Sequence, residues 1–171
     1  LYGLRPAGWR ATNLALHLGC AALLVGLLRR LTGRGYFAAA AGLLFALHPA
    51  TSEAVHAPGF RADVLCLFFT LAFLHGFLAK GPRAGFGRVG GLACLALALL
   101  AKETAVVAPA LLGALMVLFP AAFSGARRSK GIGLALAGGM AALFFALWVA
   151  LPADLQAAGG SYPEATGVTE T

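Results

Sequence analysis

The stretch "HPATSEAVHAPGFRAD", residues 48–63, packs two His, one Glu, one Arg, one Asp and two Pro into a chain that is 60% hydrophobic. Further on, Lys102 and Glu103 interrupt an otherwise apolar region. Earlier, Asn13 and His17 stand four residues apart and therefore share one face of a helix. Arginine offers a planar fork that matches phosphate oxygens, and lysine adds a compact point charge. Arg61 and Lys102 are thus candidate cations for a phosphate-bearing ligand, with His48, Glu53, Asp63 and Glu103 as supporting groups. The competing reading is structural. Glu53 and Arg61 lie eight residues apart across the Pro58-Gly59 turn, so a Glu53–Arg61 or Asp63–Arg61 ion pair could pin a loop at a membrane face. Both readings stay open here.

The elements that must position these groups follow from composition. Only 11% of residues are charged, and the apolar runs exceed what a soluble domain of 171 residues needs. A hydrocarbon core of roughly 30 Å takes about 20 apolar helical residues. Residues 11–31 and 131–151 meet that length, and 62–79 come close. Shorter runs occupy 35–48, 89–101 and 104–119, giving six expected membrane segments. The fold class is therefore all-α, a polytopic membrane helix bundle over residues 1–151, followed by a truncated extracytoplasmic loop over 152–171. Pro49 should end the helix before it, because it lacks an N–H and clashes with a continuing turn. Thr51 or Ser52 can then cap a short interfacial helix, "SEAVHA", which Pro58-Gly59 terminates.

Charge gives an orientation. Basic triplets (Arg29/Arg30/Arg34, Lys80/Arg83/Arg88, Arg127/Arg128/Lys130) fill every second loop, while all six acidic residues fall in the other set. Counting Lys and Arg alone, one side holds nine and the other four. The positive-inside rule places the nine in the cytoplasm. Residues 48–61, Lys102/Glu103 and both termini then face outward, as they would in a bacterial inner membrane or an endoplasmic reticulum membrane. The net charge of +7 reflects that topology and the lipid headgroups it meets, not nucleic acid.

Other chemistries find little support. Cys20, Cys66 and Cys94 lie inside apolar segments without CxxC spacing and read as small buried hydrophobes. No GxGxxG, P-loop or HExxH occurs, and no two His stand at metal-binding spacing, so no metal site is expected. "GPRAGFGRVGG", residues 81–91, reads as a flexible glycine-rich loop. Asn13 and His17 are expected either to bond to another helix or to line a polar cavity, and His75 is expected to be structural. A phosphate at the outer interface of a membrane is most naturally a polyprenyl phosphate carrying a sugar.

The order "NLALHL", "LRRLTG", "LLFALHPATSEAVHAPGFRADVL", "LLAKET" resembles the transmembrane and tetratricopeptide-repeat family of protein O-mannosyltransferases and related bacterial membrane proteins. The family pattern N-L-L-L-H, H-P-x-x-x-E-A-V, G-R-x-D, S-K-E is matched at Asn13, Leu14, Leu16, His17, His48, Pro49, Glu53, Ala54 and Val55. It is matched further at Arg61, Asp63, Lys102 and Glu103. Phe60 stands where the family usually has Gly, with Gly59 one position earlier. The resemblance covers residues 1 to about 120.

The resemblance implies a C-type glycosyltransferase (GT-C-like) fold. It also implies an enzyme that takes a sugar, mannose-like, from a polyprenyl or dolichyl phosphate donor and hands it to a hydroxyl, in the eukaryotic relatives a protein Ser or Thr. The lipid-linked sugar phosphate would be a substrate, and no cofactor is expected in this stretch. The essential carboxylate of such folds usually lies in the first extracytoplasmic loop. It is therefore expected upstream of this chain, and tetratricopeptide repeats far downstream. Two rivals remain from the residues alone. One is a transporter fragment, which would show paired repeats with interrupted helices. The other is a non-catalytic membrane anchor for a repeat domain.

Overall fold

The computed structural model describes residues 6–49, 51, 60–123 and 127–151. Among these the regular elements are all helical, with no strand. They are α1 (Pro6–Thr32), α2 (Gly35–Leu47), α3 (Arg61–Phe77), α4 (Ala84–Ala101), a 3₁₀ segment (Glu103–Val107), α5 (Ala108–Leu118) and α6 (Arg127–Ala150). Each expected apolar run has become a helix, which makes the chain the all-α bundle that its composition implied.

Three of these helices are long and apolar enough to cross a membrane: Arg10–Thr32 within α1, Ala84–Ala101, and Lys130–Ala150 within α6. At 17 residues, α3 falls just below that length, and α2 and the 3₁₀–α5 run are shorter apolar helices. Leu43, Leu44, Leu100, Val117, Leu136 and Leu147 are exposed, as side chains facing lipid would be.

Local sequence explains the helix ends. α1 carries Arg29 and Arg30 in its last turn, where cations complement the negative end of the helix dipole. It stops at Gly33, whose φ of +71° and N–H bond to the Arg29 carbonyl close the last turn. α2 ends at Leu47 because His48, preceding Pro49, is forced into extended backbone (φ −68°, ψ 130°). Thr51 then turns back: its hydroxyl lies 2.6 Å from the Phe45 carbonyl and 2.9 Å from that of His48. It serves the orphan carbonyls of α2. The interfacial helix expected over "SEAVHA" lies outside the described residues.

The stretch 81–91 departs from expectation. Rather than a glycine-rich loop throughout, it turns at Gly81 and is helical from Ala84 onward, which lengthens α4 to 18 residues. The reason is packing. α3 and α4 form the most extensively packed helix pair, and Gly76 of α3 faces Gly87 and Gly91 of α4. A Cβ on Gly91 would sit 3.0 Å from the Phe73 carbonyl oxygen, and one on Gly76 would run into the Gly87 carbonyl. Gly87 and Gly91 form a GxxxG pair, the small-residue device by which membrane helices bring their backbones together. Glycine weakens a lone helix by roughly 1 kcal/mol per residue, and the close contact offsets that cost.

Around this pair lies the apolar core. Phe73, Leu74 and Phe77 of α3, Leu95 of α4 and Leu112 of α5 are fully buried. The rings of Phe73 and Phe77 meet edge to face at 5.2 Å. α1 packs on both α2 and α3. His75 donates from Nε2 to the Leu23 carbonyl at 2.8 Å, so it fastens α3 to α1 as a structural group.

Candidate functional site

The bundle sorts its polar residues to two ends. At one end lie the start of α3 and the close of α4, joined by an ion pair between Lys102 and Asp63. At the other lie Arg29, Arg30, Lys80 and Lys130 near the opposite ends of α1, α3 and α6. Of the candidate site residues, Arg61, Asp63, Lys102 and Glu103 belong to the first end.

Lys102 owes its position to a break in the backbone. It leaves α4 in extended conformation (φ −161°, ψ 139°), and the chain resumes as a 3₁₀ turn from Glu103. Its ammonium meets the Asp63 carboxylate in a short charge-assisted hydrogen bond. Asp63 sits in the first turn of α3, and Lys102 follows the last turn of α4. Each charge therefore complements the dipole of its own helix before it meets the other. Both side chains remain partly accessible, at 31% for Lys102 and 44% for Asp63. The hydrogen bond to Asp63 raises the lysine above its ordinary pKa, the charges of Asp63 and Glu103 add to that, and burial opposes it. Lys102 is thus a fixed cation with a carboxylate beside it.

Arg61 opens α3 two residues before Asp63 and is half-buried. A cation at a helix N-terminus opposes the dipole, so the helix gains nothing from a basic residue there. Glu103 and His48 are exposed. Glu53 lies outside the described residues.

Asn13 and His17 occupy the face of α1 that turns inward, at 2% and 4% exposure. His17 stacks on Phe45 with ring centroids 5.1 Å apart, and its Nε2 donates to the Ala46 carbonyl at 3.3 Å. It therefore ties α1 to the last turn of α2, beside His48. The carboxamide oxygen of Asn13 is buried without a hydrogen-bond partner among the described residues. α1 also reaches α3 here, through a 3.7 Å contact from the Cys20 thiol to the Val64 carbonyl.

The structure thus brings Lys102 to Asp63 and His17 to the end of α2. Sequence reasoning offered Glu53 or Asp63 as a partner for Arg61 and missed the contact of Asp63 with Lys102, 39 residues away. It also missed Thr104, whose hydroxyl lies 3.8 Å from the Cys66 thiol and ties the 3₁₀ turn to α3. No local pattern announces either contact. The dipole signs at the two helix ends are the one signal that could have suggested the Asp63–Lys102 pair.

An all-helical bundle with three helices of membrane-crossing length, and with charged groups set at its ends, defines an integral membrane protein. Among known proteins the likeness is to the TMTC protein O-mannosyl-transferases. The chain is 41% identical over 73 residues to protein O-mannosyl-transferase TMTC2 of Homo sapiens, covering 42% of this chain and 9% of that protein. Identity to Tmtc1 of Drosophila melanogaster is 38% over 120 residues, or 69% of this chain and 14% of the relative. Drosophila Tmtc2 matches at 34% over 113 residues, 62% of this chain and 12% of the relative. These matches bear out the family resemblance carried by the motifs. The chain spans roughly a tenth of the length of these relatives. No family model and no solved structure matches it.

Proposed function

We propose that this chain is part of the membrane domain of a glycosyltransferase of GT-C-like architecture. The enzyme transfers a mannose-like sugar from a polyprenyl or dolichyl phosphate to a hydroxyl, in a protein Ser or Thr, on the extracytoplasmic side. The observation that carries the reading is the pairing of Lys102 with Asp63 in the first turn of α3, which Arg61 opens, in a chain similar to proteins named O-mannosyl-transferases.

The chemistry fits those residues. Transfer from a glycosyl phosphate releases a phosphate anion, and cations fixed beforehand where that charge develops lower the barrier. Arg61 contributes a fork for two phosphate oxygens and Lys102 a point charge. Asp63 aims Lys102 while leaving part of its surface accessible. Glu103, next to Lys102 in sequence, adds a second carboxylate, and transfer further needs a base to accept the hydroxyl proton.

A second reading rests on the same ion pair. Asp63 and Lys102 could serve only as a clasp that holds α3 against α4, in a membrane anchor with no donor site. Transfer assays on the full-length protein separate the two readings, using a mannosyl polyprenyl phosphate and a Ser/Thr-containing peptide. Under the enzyme reading, Arg61→Ala lowers transfer at least tenfold and Arg61→Lys restores part of it, because the charge returns without the fork. No transfer by the wild type supports the anchor, and normal transfer by Arg61→Ala leaves the clasp as the role of this end in a transferase.

A further inference from the structure

The opposite end of the bundle holds a cleft of about 490 Å³ that the proposed reaction does not use, lined by Arg30, Leu78, Ala79, Lys80 and Ala122. Three elements converge on it: the last turn of α1, the turn that follows α3, and the turn after α5. Two further cations stand nearby. Lys130 is 6% exposed, donates to the Phe123 carbonyl and lies over the Phe123 ring at 5.6 Å. It is close enough to Lys80 and Arg88 to feel their charges.

The sequence has no Asp or Glu before Glu53, none between Asp63 and Glu103, and none between Glu103 and Asp154. Among the described residues, Arg30 and Lys80 have no acidic partner. Like charges gathered around a concave, partly apolar surface repel one another, and an anion seated among them removes that cost. Tyr36 and Phe86 follow closely on Arg34 and Arg83 and are 98% and 89% exposed. Aromatic side chains beside basic residues mark the headgroup level of a membrane.

We infer that the cleft between the ends of α1, α3 and α5 binds the phosphate of an anionic lipid headgroup, with Arg30 gripping its oxygens and Lys80 supplying a second charge. The chemistry recognised is a phosphate anion. The position of the cleft at the basic end of a bundle with helices of membrane-crossing length makes a membrane lipid its source rather than free phosphate. The site is separate from the proposed donor site and stands whether or not the chain is catalytic.

The test uses the full-length protein in detergent, titrated with phosphatidylglycerol, phosphatidylcholine or inorganic phosphate and followed by native mass spectrometry and thermal unfolding. Phosphatidylglycerol should be retained and should raise the unfolding temperature, while the other two should not. The double substitution Arg30→Gln/Lys80→Gln should weaken phosphatidylglycerol binding by about ten- to a hundred-fold, the usual scale for losing charge-assisted contacts. Arg34→Gln/Arg83→Gln, outside the cleft on the same end, should change it little. If the first pair prevents folding, Arg30→Lys replaces it and should weaken binding partially. Unchanged lipid affinity in the cleft variants, or an equal loss in the Arg34/Arg83 pair, overturns the site. Equal protection by inorganic phosphate overturns the lipid as its occupant.

Discussion

Substituting Gly76 by Ala isolates the contact that holds α3 against α4. In a free helix the change is favourable by roughly 1 kcal/mol, because alanine loses less conformational freedom on folding. In this bundle the new methyl would collide with the Gly87 carbonyl and lie 2.9 Å from the Gly91 Cα and 3.1 Å from its nitrogen. All three obstacles are backbone of the facing helix, so no side chain can rotate aside. The helices must separate, which loosens the layer around Phe73, Leu74 and Leu95. Overpacking of this kind typically costs about 1–3 kcal/mol. Gly90→Ala is the internal control: it lies on the same α4, its Cβ would meet nothing within 4 Å, and it carries the same propensity gain. Thermal unfolding of the purified full-length protein in detergent should show Gly76→Ala clearly destabilised and Gly90→Ala unchanged or slightly stabilised. Equal stability of the two variants would refute the close-packed α3–α4 contact, and with it the helical reading of residues 84–91.

Three further outcomes are expected. Asn13→Leu should leave stability unchanged or raise it, because it removes a buried oxygen without a partner, whereas His17→Leu should cost about 1 kcal/mol through loss of the bond to Ala46; denaturant titrations compare them. Lys102 has its pKa raised in the fold, so its stabilising contribution is complete below the ordinary value of 10.5 and is lost as pH rises through the higher folded value. The stability difference between wild type and Lys102→Gln should therefore hold constant from neutral pH to about 9 and shrink only in stronger alkali. For orientation, single cysteines at Arg34, Arg83 and Ser129 should resist an impermeant thiol reagent in intact cells and those at Ser52 and Ser161 should react, once Cys20, Cys66 and Cys94 are replaced by Ala; labelling at 83 but not at 52 would reverse the proposed sidedness.

Much of the helical layout was legible because bilayer-scale apolar runs have few alternatives to helix. The end of α2 followed from proline sterics, and the break at Lys102 followed from a charged pair inside an apolar run. The start of α4 was not legible. Its glycines argue for a loop by propensity alone, and only the facing Gly76 on another helix explains why they are helical. The pairing of Asp63 with Lys102 was not legible. Sequence proximity offered Glu53 and Asp63 as partners for Arg61, whereas helix packing gave Asp63 to Lys102. Thr51 or Ser52 was expected to cap a helix that lies outside the described residues, and the Thr51 hydroxyl serves the carbonyls behind it. The basic cleft at the opposite end had the charge pattern of a topology signal, and its concavity exists only once α1, α3 and α5 are assembled.

The central claim is that the end bearing Asp63 and Lys102 grips a donor phosphate through Arg61. The most direct measurement is the dissociation constant of a mannosyl polyprenyl phosphate for full-length wild type, Arg61→Ala and Arg61→Lys, with the unfolding temperature of each taken in the same buffer. The account predicts that Arg61→Ala weakens donor binding about ten- to a hundred-fold at unchanged unfolding temperature, with Arg61→Lys intermediate. Wild-type donor affinity in Arg61→Ala, or a loss that only follows a fall in unfolding temperature, would contradict it.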